Sequence, residues 1–437
     1  MVFRYISVSC IALSVLAIPP RTAAAAALTQ SDITAALAFA AQQATKTIAD
    51  LNPAHTTYPR SGGDTGPWTK VVGASDWTSG FFPWELTSLY RATGNPVWLS
   101  NAIAWTAPLA AQASIATDAD VGMRMLSTGA LYSLTGDQSY KTTIFQAASS
   151  LASRYSSVAG AINHVDAFPG SILLLQDSMN NLAPLSWAGA NGGDPAWSAD
   201  AAQHALTTAA NLPRPDGSTN QLALFDPVTG ARTFLGTYQG YSDSSDWQRG
   251  LTWAMNGYAD LYYQTKNTAF LASAQALADH YLSVVRNDCV PYWDARDPAI
   301  PAAPIDTSAA ALADLALIKL GTIAAAPADQ ARYGTAAQCG LKTLIASDLA
   351  GSSGDAVLLH GNNVGGRDGA NVSLIFGDAA FVAALAAQQD LNNGLPITWT
   401  MSYDLAPINA AGVVPEPAAL LLFASGMLAM LMVRRRL

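Results

Sequence analysis

The sequence predicts an all-α fold, an (α/α)6 toroid in which six helical hairpins close into a ring. Three observations lead there. Apolar residues recur at helical spacing through most of the chain between its two ends. A hinge motif returns three times, as Leu89-Tyr-Arg-Ala-Thr-Gly-Asn95, Leu131-Tyr-Ser-Leu-Thr-Gly-Asp137 and Leu261-Tyr-Tyr-Gln-Thr-Lys-Asn267. The interval from the second copy to the third is close to three times the first interval, which is the signature of stacked helical hairpins. Alanine-rich faces supply the close packing that such a ring needs. An open solenoid is the alternative that the same pattern allows.

The elements follow in order. A helix over 31–48 starts behind Ser31, and one over 80–93 ends in the first hinge. Helices 97–115 and 138–155 start at Asn95 and Asp137, residues that accept from the free N–H groups of a first turn. Between them, 121–134 runs into the second hinge. A helix over 170–183 rests on the apolar run Ile172–Leu175, and 197–211 follows. Helix 247–264 ends in the third hinge, 268–286 starts at Asn267, and 307–320 starts at Asp306. Helices 328–347 and 373–388 complete the set. Two stretches break the rhythm. The segment 213–246 is rich in Gly, Asp, Thr and Pro, with Leu222–Phe225 as a candidate short strand, and 288–306 holds Tyr292 and Trp293. Long connections in a helical ring are natural places for ligand contacts.

The ends differ from the body. Arg4, an apolar run from Ile6 to Ile18 and an alanine tract from Ala23 to Ala27 form the three regions of a secretory signal, placed at 1–27. The body is then 28–408. The segment 409–437 contains Pro415-Glu-Pro417, an apolar run from Ala418 to Val433 and Arg434-Arg-Arg436. This tail resembles the PEP-CTERM sorting signal. The resemblance implies export by a Gram-negative bacterium, a membrane helix in the tail and an exosortase-type processing enzyme as a partner. A plain tail anchor is the alternative, with the basic end cytoplasmic in either case. Contact with a membrane is expected only through these terminal segments.

Cys289 and Cys339 remain once the signal that carries Cys10 is removed. Two thiols in an oxidising compartment can pair, or can lie apart as buried thiols; the sequence leaves both open. A net charge of −9 argues against nucleic acid and against broad binding of a long polyanion. A small acidic ligand needs only one or two local arginines. The five histidines are scattered, no dinucleotide or phosphate-binding loop is present, and no metal or cofactor is expected.

Glutamate is nearly absent, with Glu85 and Glu416 the only two. Carboxylate chemistry in the body therefore falls to aspartate or to Glu85. Asp177 sits at the end of the apolar run Ile172–Leu175, where desolvation raises a carboxyl pKa and suits it to general acid work; a helix cap or an ion-pair partner is the alternative, and on composition alone the more usual one. In Trp247-Gln-Arg249-Gly-Leu-Thr-Trp253, a guanidinium lies between two indoles within two helical turns. Such a set suits a sugar ring that carries a carboxylate; a helix start with two core tryptophans and a surface arginine is the alternative that the segment by itself allows equally.

Five motifs in a set order accompany the Gln239–Trp253 stretch: Asp76-Trp-Thr-Ser-Gly-Phe-Phe-Pro-Trp84, Asp120-Val-Gly-Met-Arg124, Gln176-Asp-Ser-Met-Asn-Asn-Leu182, Pro291-Tyr-Trp-Asp294 and Asp306-Thr-Ser-Ala-Ala-Ala311. In this order the chain resembles the unsaturated glucuronyl hydrolases of glycoside hydrolase family 88, from about Tyr58 to about Ala386. The resemblance implies the same toroid. It implies Asp177 as general acid and base, in an Asp-x-Met-x-Asn context, and Asp120 as the second aspartate. It further implies Trp77, Gln221, Gln239, Trp247, Arg249 and Trp253 as substrate contacts, with Arg249 holding the uronate carboxylate. The substrate would be an unsaturated oligosaccharide left by a polysaccharide lyase, and the reaction would hydrate its C4=C5 double bond. Two carboxylates in one pocket would push their pKa values apart.

Three positions depart from the family pattern: Ala119 stands where the family has His, Gln221 where it has a binding His, and Asn371 where it has Asp. An unsaturated rhamnogalacturonyl hydrolase and a non-catalytic glycan-binding ring are the alternative functions.

Overall fold

The computed structural model describes residues 27–397, apart from 63–65, 352 and 364–365 and the side chains of 367 and 368. The signal-like segment 1–26 and the tail from 398 onward lie outside the described residues. Among the described residues, no helix is long and apolar enough to cross a membrane.

Six helices are buried on nearly every face: α2 (Phe81–Thr93), α5 (Leu126–Thr135), α7 (Ala183–Ala190), α9 (Gln248–Thr265), α11 (Thr307–Ile323) and α13 (Ile375–Asn392). Each packs on a helix that is buried along one stripe only. These outer helices are α3 (Pro96–Thr106), α6 (Gln138–Ala152), α8 (Pro195–Asn211), α10 (Thr268–Val284), α12 (Pro327–Ser347) and α1 (Gln30–Asp50). The difference follows from sequence. Helix α13 carries Ala379, Ala380, Ala383, Ala384, Ala386 and Ala387 around its circumference and so is apolar all round. Helix α10 confines its apolar residues to a stripe. Helix α13 contacts both α1 and α2, which closes the ring between the first and last hairpins.

The three hinge copies are turns from an inner helix to its outer partner. Gly94, Gly136 and Lys266 each cap an inner helix in the left-handed conformation, with φ of 68°, 68° and 56°. Asn95, Asp137 and Asn267 then accept from the backbone N–H two residues on and start the outer helix. The threonine before each cap bonds back to its helix, as Thr93 does to the Leu89 carbonyl at 2.7 Å. One short motif thus supplies a stop, a reversal and a start.

The return connections, from outer helix to the next inner one, are longer and carry the one-turn helix α4 (Val121–Arg124) and all the strands. A four-stranded antiparallel sheet joins β1 (Thr57–Gly62) and β2 (Thr69–Val72) to β8 (Gly361–Asn362) and β9 (Ala370–Leu374). A hairpin of β3 (Tyr155–Ser156) and β4 (Ala161–Ile162) precedes a three-stranded sheet of β5 (Ile172–Leu175), β6 (Leu222–Phe225) and β7 (Arg232–Gly236). The small sheets are additions to the ring, and β6 is the strand expected at 222–225.

The helix expected over 170–183 is corrected. Ile172–Leu175 forms β5 and pairs residue for residue with β6, from Ile172 opposite Phe225 to Leu175 opposite Leu222. A 3-10 turn, Gln176–Asn181, follows, and α7 begins only at Ala183. A continuous apolar run suits a strand buried on both faces as well as a helix, and the partner strand decides. Trp247 is likewise the residue before α9 and lies outside the helix.

Cys289 and Cys339 form a disulfide that ties the 288–306 connection to α12. Replacing both by serine is expected to lower stability by about 3 kcal/mol, since a cross-link restricts mainly the unfolded chain. Denaturant unfolding of the variant against the oxidised parent checks this.

Candidate active site

Because the helices alternate in direction, the return connections gather at one end of the ring. Every residue expected to contact substrate lies on one of them or in the first turns of the inner helix that follows. Trp77 precedes α2, Asp120 precedes α4 and α5, and Asp177 precedes α7. Gln221, Gln239 and Trp247 precede α9, which carries Arg249 and Trp253 near its start.

Asp177 occupies the 3-10 turn after β5. Glycines on two neighbouring elements let their backbones close on that turn. A Cβ on Gly122 of α4 would lie 2.5 Å from the Asn181 Cα, and one on Gly257 of α9 would lie 2.5 Å from the Met179 carbonyl carbon. Asp177 is consequently buried, and its Oδ2 has no hydrogen-bond partner in the protein. Burial lifts its pKa from an ordinary 3.8 to about 6; the positive fields of His164 and Arg249 oppose that rise, and the Asp120 charge adds to it slightly. Desolvation is thus the main cause, and repulsion between two carboxylates is a minor one.

Asp120 is held beside this turn. Asn181 Nδ2 donates to Asp120 Oδ1 at 3.2 Å, while Asn181 Oδ1 accepts from the Met123 N–H at 2.7 Å. The nearby Asp118 is committed elsewhere, accepting from the Asp120 N–H and from Arg124, both at 3.0 Å. His164, one of five histidines scattered along the sequence, belongs to this group. Its Nε2 is 3.7 Å from Asp120 Oδ2 and its Nδ1 is 2.9 Å from Ser178 Oγ. No local signal marks it, because its neighbours come from α4 and from the turn beyond β5.

The expected aromatic residues cluster through two phenylalanines that sequence reasoning did not select. Trp77 packs on Phe81 and Phe376 with centroids 5.8 and 5.2 Å apart, and Trp253 packs on the same rings at 5.9 and 6.1 Å. Of the three expected tryptophans Trp77 alone is partly exposed; Trp247 and Trp253 are each 4% exposed.

Arg249 differs from expectation. Its guanidinium is buried, donates to Asp306 at 2.7 Å and to the carbonyls of Asn362 and Asn363, and stacks over Trp247 at 4.8 Å and Phe376 at 5.2 Å. These partners hold the guanidinium in place, and its field reaches Asp177. Asp306 spans two duties, since its Oδ1 also caps α11 through the Ser308 N–H.

Gln221 and Gln239 meet. Gln221 Nε2 donates to Gln239 Oε1 at 2.7 Å, and Gln221 Oε1 accepts from Thr237 Oγ1 and from the N–H groups of Tyr238 and Gln239. Gln221 is buried and organises the loop; Gln239 is half-buried. Asn371 takes φ of 56°, a left-handed conformation that asparagine tolerates better than most residues. Glu85 lies in the ring interior. Its carboxyl is held well above the usual range by burial first and then by Asp378 of α13, not by the Asp177 group. Among the described residues, no cluster of three His, Cys, Asp or Glu side chains could hold a metal.

The chain is similar to an unsaturated glucuronyl hydrolase of Formosa agariphila, with 32% identity over 76% of this chain and 85% of that one. It is similar also to an unsaturated glucuronyl hydrolase of Bacillus sp. strain GL1, with 31% identity over 57% of this chain and 68% of the other. Among solved structures, an unsaturated glucuronyl hydrolase specific for heparin superposes with a TM-score of 0.77 at 28% identity, over 84% of this chain and 99% of that one. Residues 413–436 match the PEP-CTERM protein-sorting motif.

Proposed function

The chain belongs to the unsaturated glucuronyl hydrolase family, and from that premise we propose that it hydrates the C4=C5 bond of a terminal unsaturated uronate through Asp177. The chain is a glycoside hydrolase of unsaturated uronates. The reading of residues goes further. Asp177 in its acid form protonates C4 of the enol ether. As a carboxylate it then takes a proton from the water that adds at C5. The resulting hemiketal opens and releases the neighbouring sugar. The anomeric carbon is never attacked, so the carboxylate spacings of ordinary glycosidases do not apply.

The observation that carries this reading is the burial of Asp177 with an unpartnered Oδ2 and a pKa near 6. A carboxyl in that range holds a proton at mildly acidic pH and releases it readily, which both half-reactions need. Asp120 supplies the second carboxylate, oriented by Asn181. Trp77 offers the partly exposed face for the sugar. Arg249 contributes a positive field from behind its partner Asp306, and Gln239 with its clamp Gln221 borders the neighbouring sugar.

Incubation with a panel of unsaturated disaccharides tests this, by following loss of the ultraviolet absorbance of the conjugated double bond. Absence of turnover on every uronate substrate would overturn it. Turnover confined to a rhamnose-linked uronate would move the enzyme to the rhamnogalacturonyl class. The pH profile gives a further expectation. Since the first step needs the acid form of Asp177, kcat/KM should fall about tenfold per pH unit above roughly pH 6.

The sorting motif supports export from a Gram-negative cell. We propose that the mature protein loses both 1–27 and the tail at Pro415-Glu-Pro417. Mass spectrometry of the native protein should find neither end. An intact Arg434-Arg-Arg436 terminus would identify a permanent anchor instead.

A further inference from the structure

We propose that His164 is a positioning residue for the hydration reaction, presented to Asp120 by the β4–β5 connection. The inference rests on the reading of Asp177 as the acid.

Two backbone hydrogen bonds fix where His164 sits. Its N–H donates to the Leu173 carbonyl of β5 at 2.9 Å, and its own carbonyl accepts from the Ala119 N–H at 2.7 Å. Position 119 and His164 are therefore hydrogen-bonded neighbours on two different connections. A backbone held on both sides leaves the ring little freedom to leave the site.

The ring contacts show what it does there. Nδ1 lies 2.9 Å from Ser178 Oγ, the residue after Asp177. A hydrogen on Nε2 faces Asp120 Oδ2 at 3.7 Å, while Nδ1 meets the serine hydroxyl as acceptor in the neutral ring or as donor in the protonated one. The other oxygen, Oδ1, takes the Asn181 amide at 3.2 Å. Both Asp120 oxygens then face donors, and its carboxyl is held in one orientation. Asp177 next door, with Oδ2 unpartnered, is left as the member that carries the proton.

The charged and titratable surroundings are few. Asp120 and Asp177 face the ring from the two adjoining turns. Arg249 acts on Asp177 from α9, and Arg124 is neutralised by Asp118. His204 of α8 is the remaining neighbour. It is buried, accepts the Ile162 N–H through Nδ1 at 3.0 Å, and is pushed down to about 3 by burial first and His164 second, so it stays neutral. Any positive charge on His164 opposes the proton on Asp177. Removing the ring should therefore raise the Asp177 proton affinity.

The test compares His164→Phe, which keeps the bulk and removes both nitrogens, with His164→Gln, whose amide nitrogen replaces Nε2 as a neutral donor. The expected result has three parts. His164→Phe lowers kcat at least tenfold with KM changed less than threefold. His164→Gln recovers most of that loss. In both variants the basic limb of the pH profile moves to higher pH, while melting temperatures stay within a few degrees of the parent. A kcat within twofold of the parent for His164→Phe with an unmoved limb overturns the proposal. So does a loss of kcat shared equally by Phe and Gln with an unmoved limb, which is the mark of packing alone. If the parent turns over no unsaturated uronate, the functional reading fails by itself. The positioning role is then still decided by carbon-detected titration of the Asp177 carboxyl, which should shift upward in His164→Phe.

Discussion

Asparagine in place of Asp177 is expected to lower kcat by about a thousandfold or more while making the folded protein more stable at neutral pH. The activity loss follows because an amide neither donates nor takes a proton at the reacting carbon, and a positioned acid contributes about 10²–10⁴ in rate. The stability gain follows from burial. The folded-state pKa is raised from 3.8 to about 6, so the fold favours the protonated form. This group therefore weighs nothing against folding below about pH 4. Its cost develops between pH 4 and 6 and is complete above. Two pKa units correspond to about 3 kcal/mol, which asparagine recovers at pH 7 and not at pH 4. Denaturant unfolding at the two pH values, beside a kinetic assay, separates the effects. Equal stability changes at both would show that Asp177 is not desolvated, and near-normal turnover would remove it from the chemistry.

Arg249→Ala should be the most destabilising substitution at the site, by about 3–5 kcal/mol. Arg249 and Asp306 are both buried, with side chains 3% and 0% exposed. Deleting the cation leaves a carboxylate without its partner in a low dielectric and frees the Asn362 and Asn363 carbonyls that it ties to α9. Pairing the change with Asp306→Asn should recover part of the loss, because the charge goes while the Oδ1 that caps α11 stays. A double variant no more stable than Arg249→Ala would refute the ion-pair account. At temperatures where the variant remains folded, affinities for an anionic ligand and its amidated analogue show the rest. A larger loss for the anion reveals the Arg249 field acting on substrate, and equal losses confine Arg249 to support.

Hinges and inner helices were legible because their signals are local. A threonine, a left-handed cap and an Asn or Asp cap lie within four residues of each other, and each bonds to its own neighbourhood. Asp177 was legible for a similar reason, since the apolar run that desolvates it immediately precedes it. The same run misled about its setting. Ile172–Leu175 is a strand only because Leu222–Phe225 pairs with it across a whole hairpin of the ring, and no window of sequence contains both.

The sequence by itself therefore determined the ring, its turns and the family, each through residues that act on near neighbours, and through the family's motif it pointed to Asp177 as the proposed acid. Tertiary structure decided what those residues face. It brought His164 from the β4–β5 connection to Asp120, turned Arg249 inward onto Asp306, joined Gln221 to Gln239 and closed the disulfide between Cys289 and Cys339. The first, second and fourth of these contacts join side chains from separate connections or helices of the ring, and Gln221 meets Gln239 across a fold of the single α8–α9 connection. Whether a histidine meets a carboxylate or an arginine meets a ligand depends on which chain segments the closed ring presses together, and spacing along the chain carries no record of that.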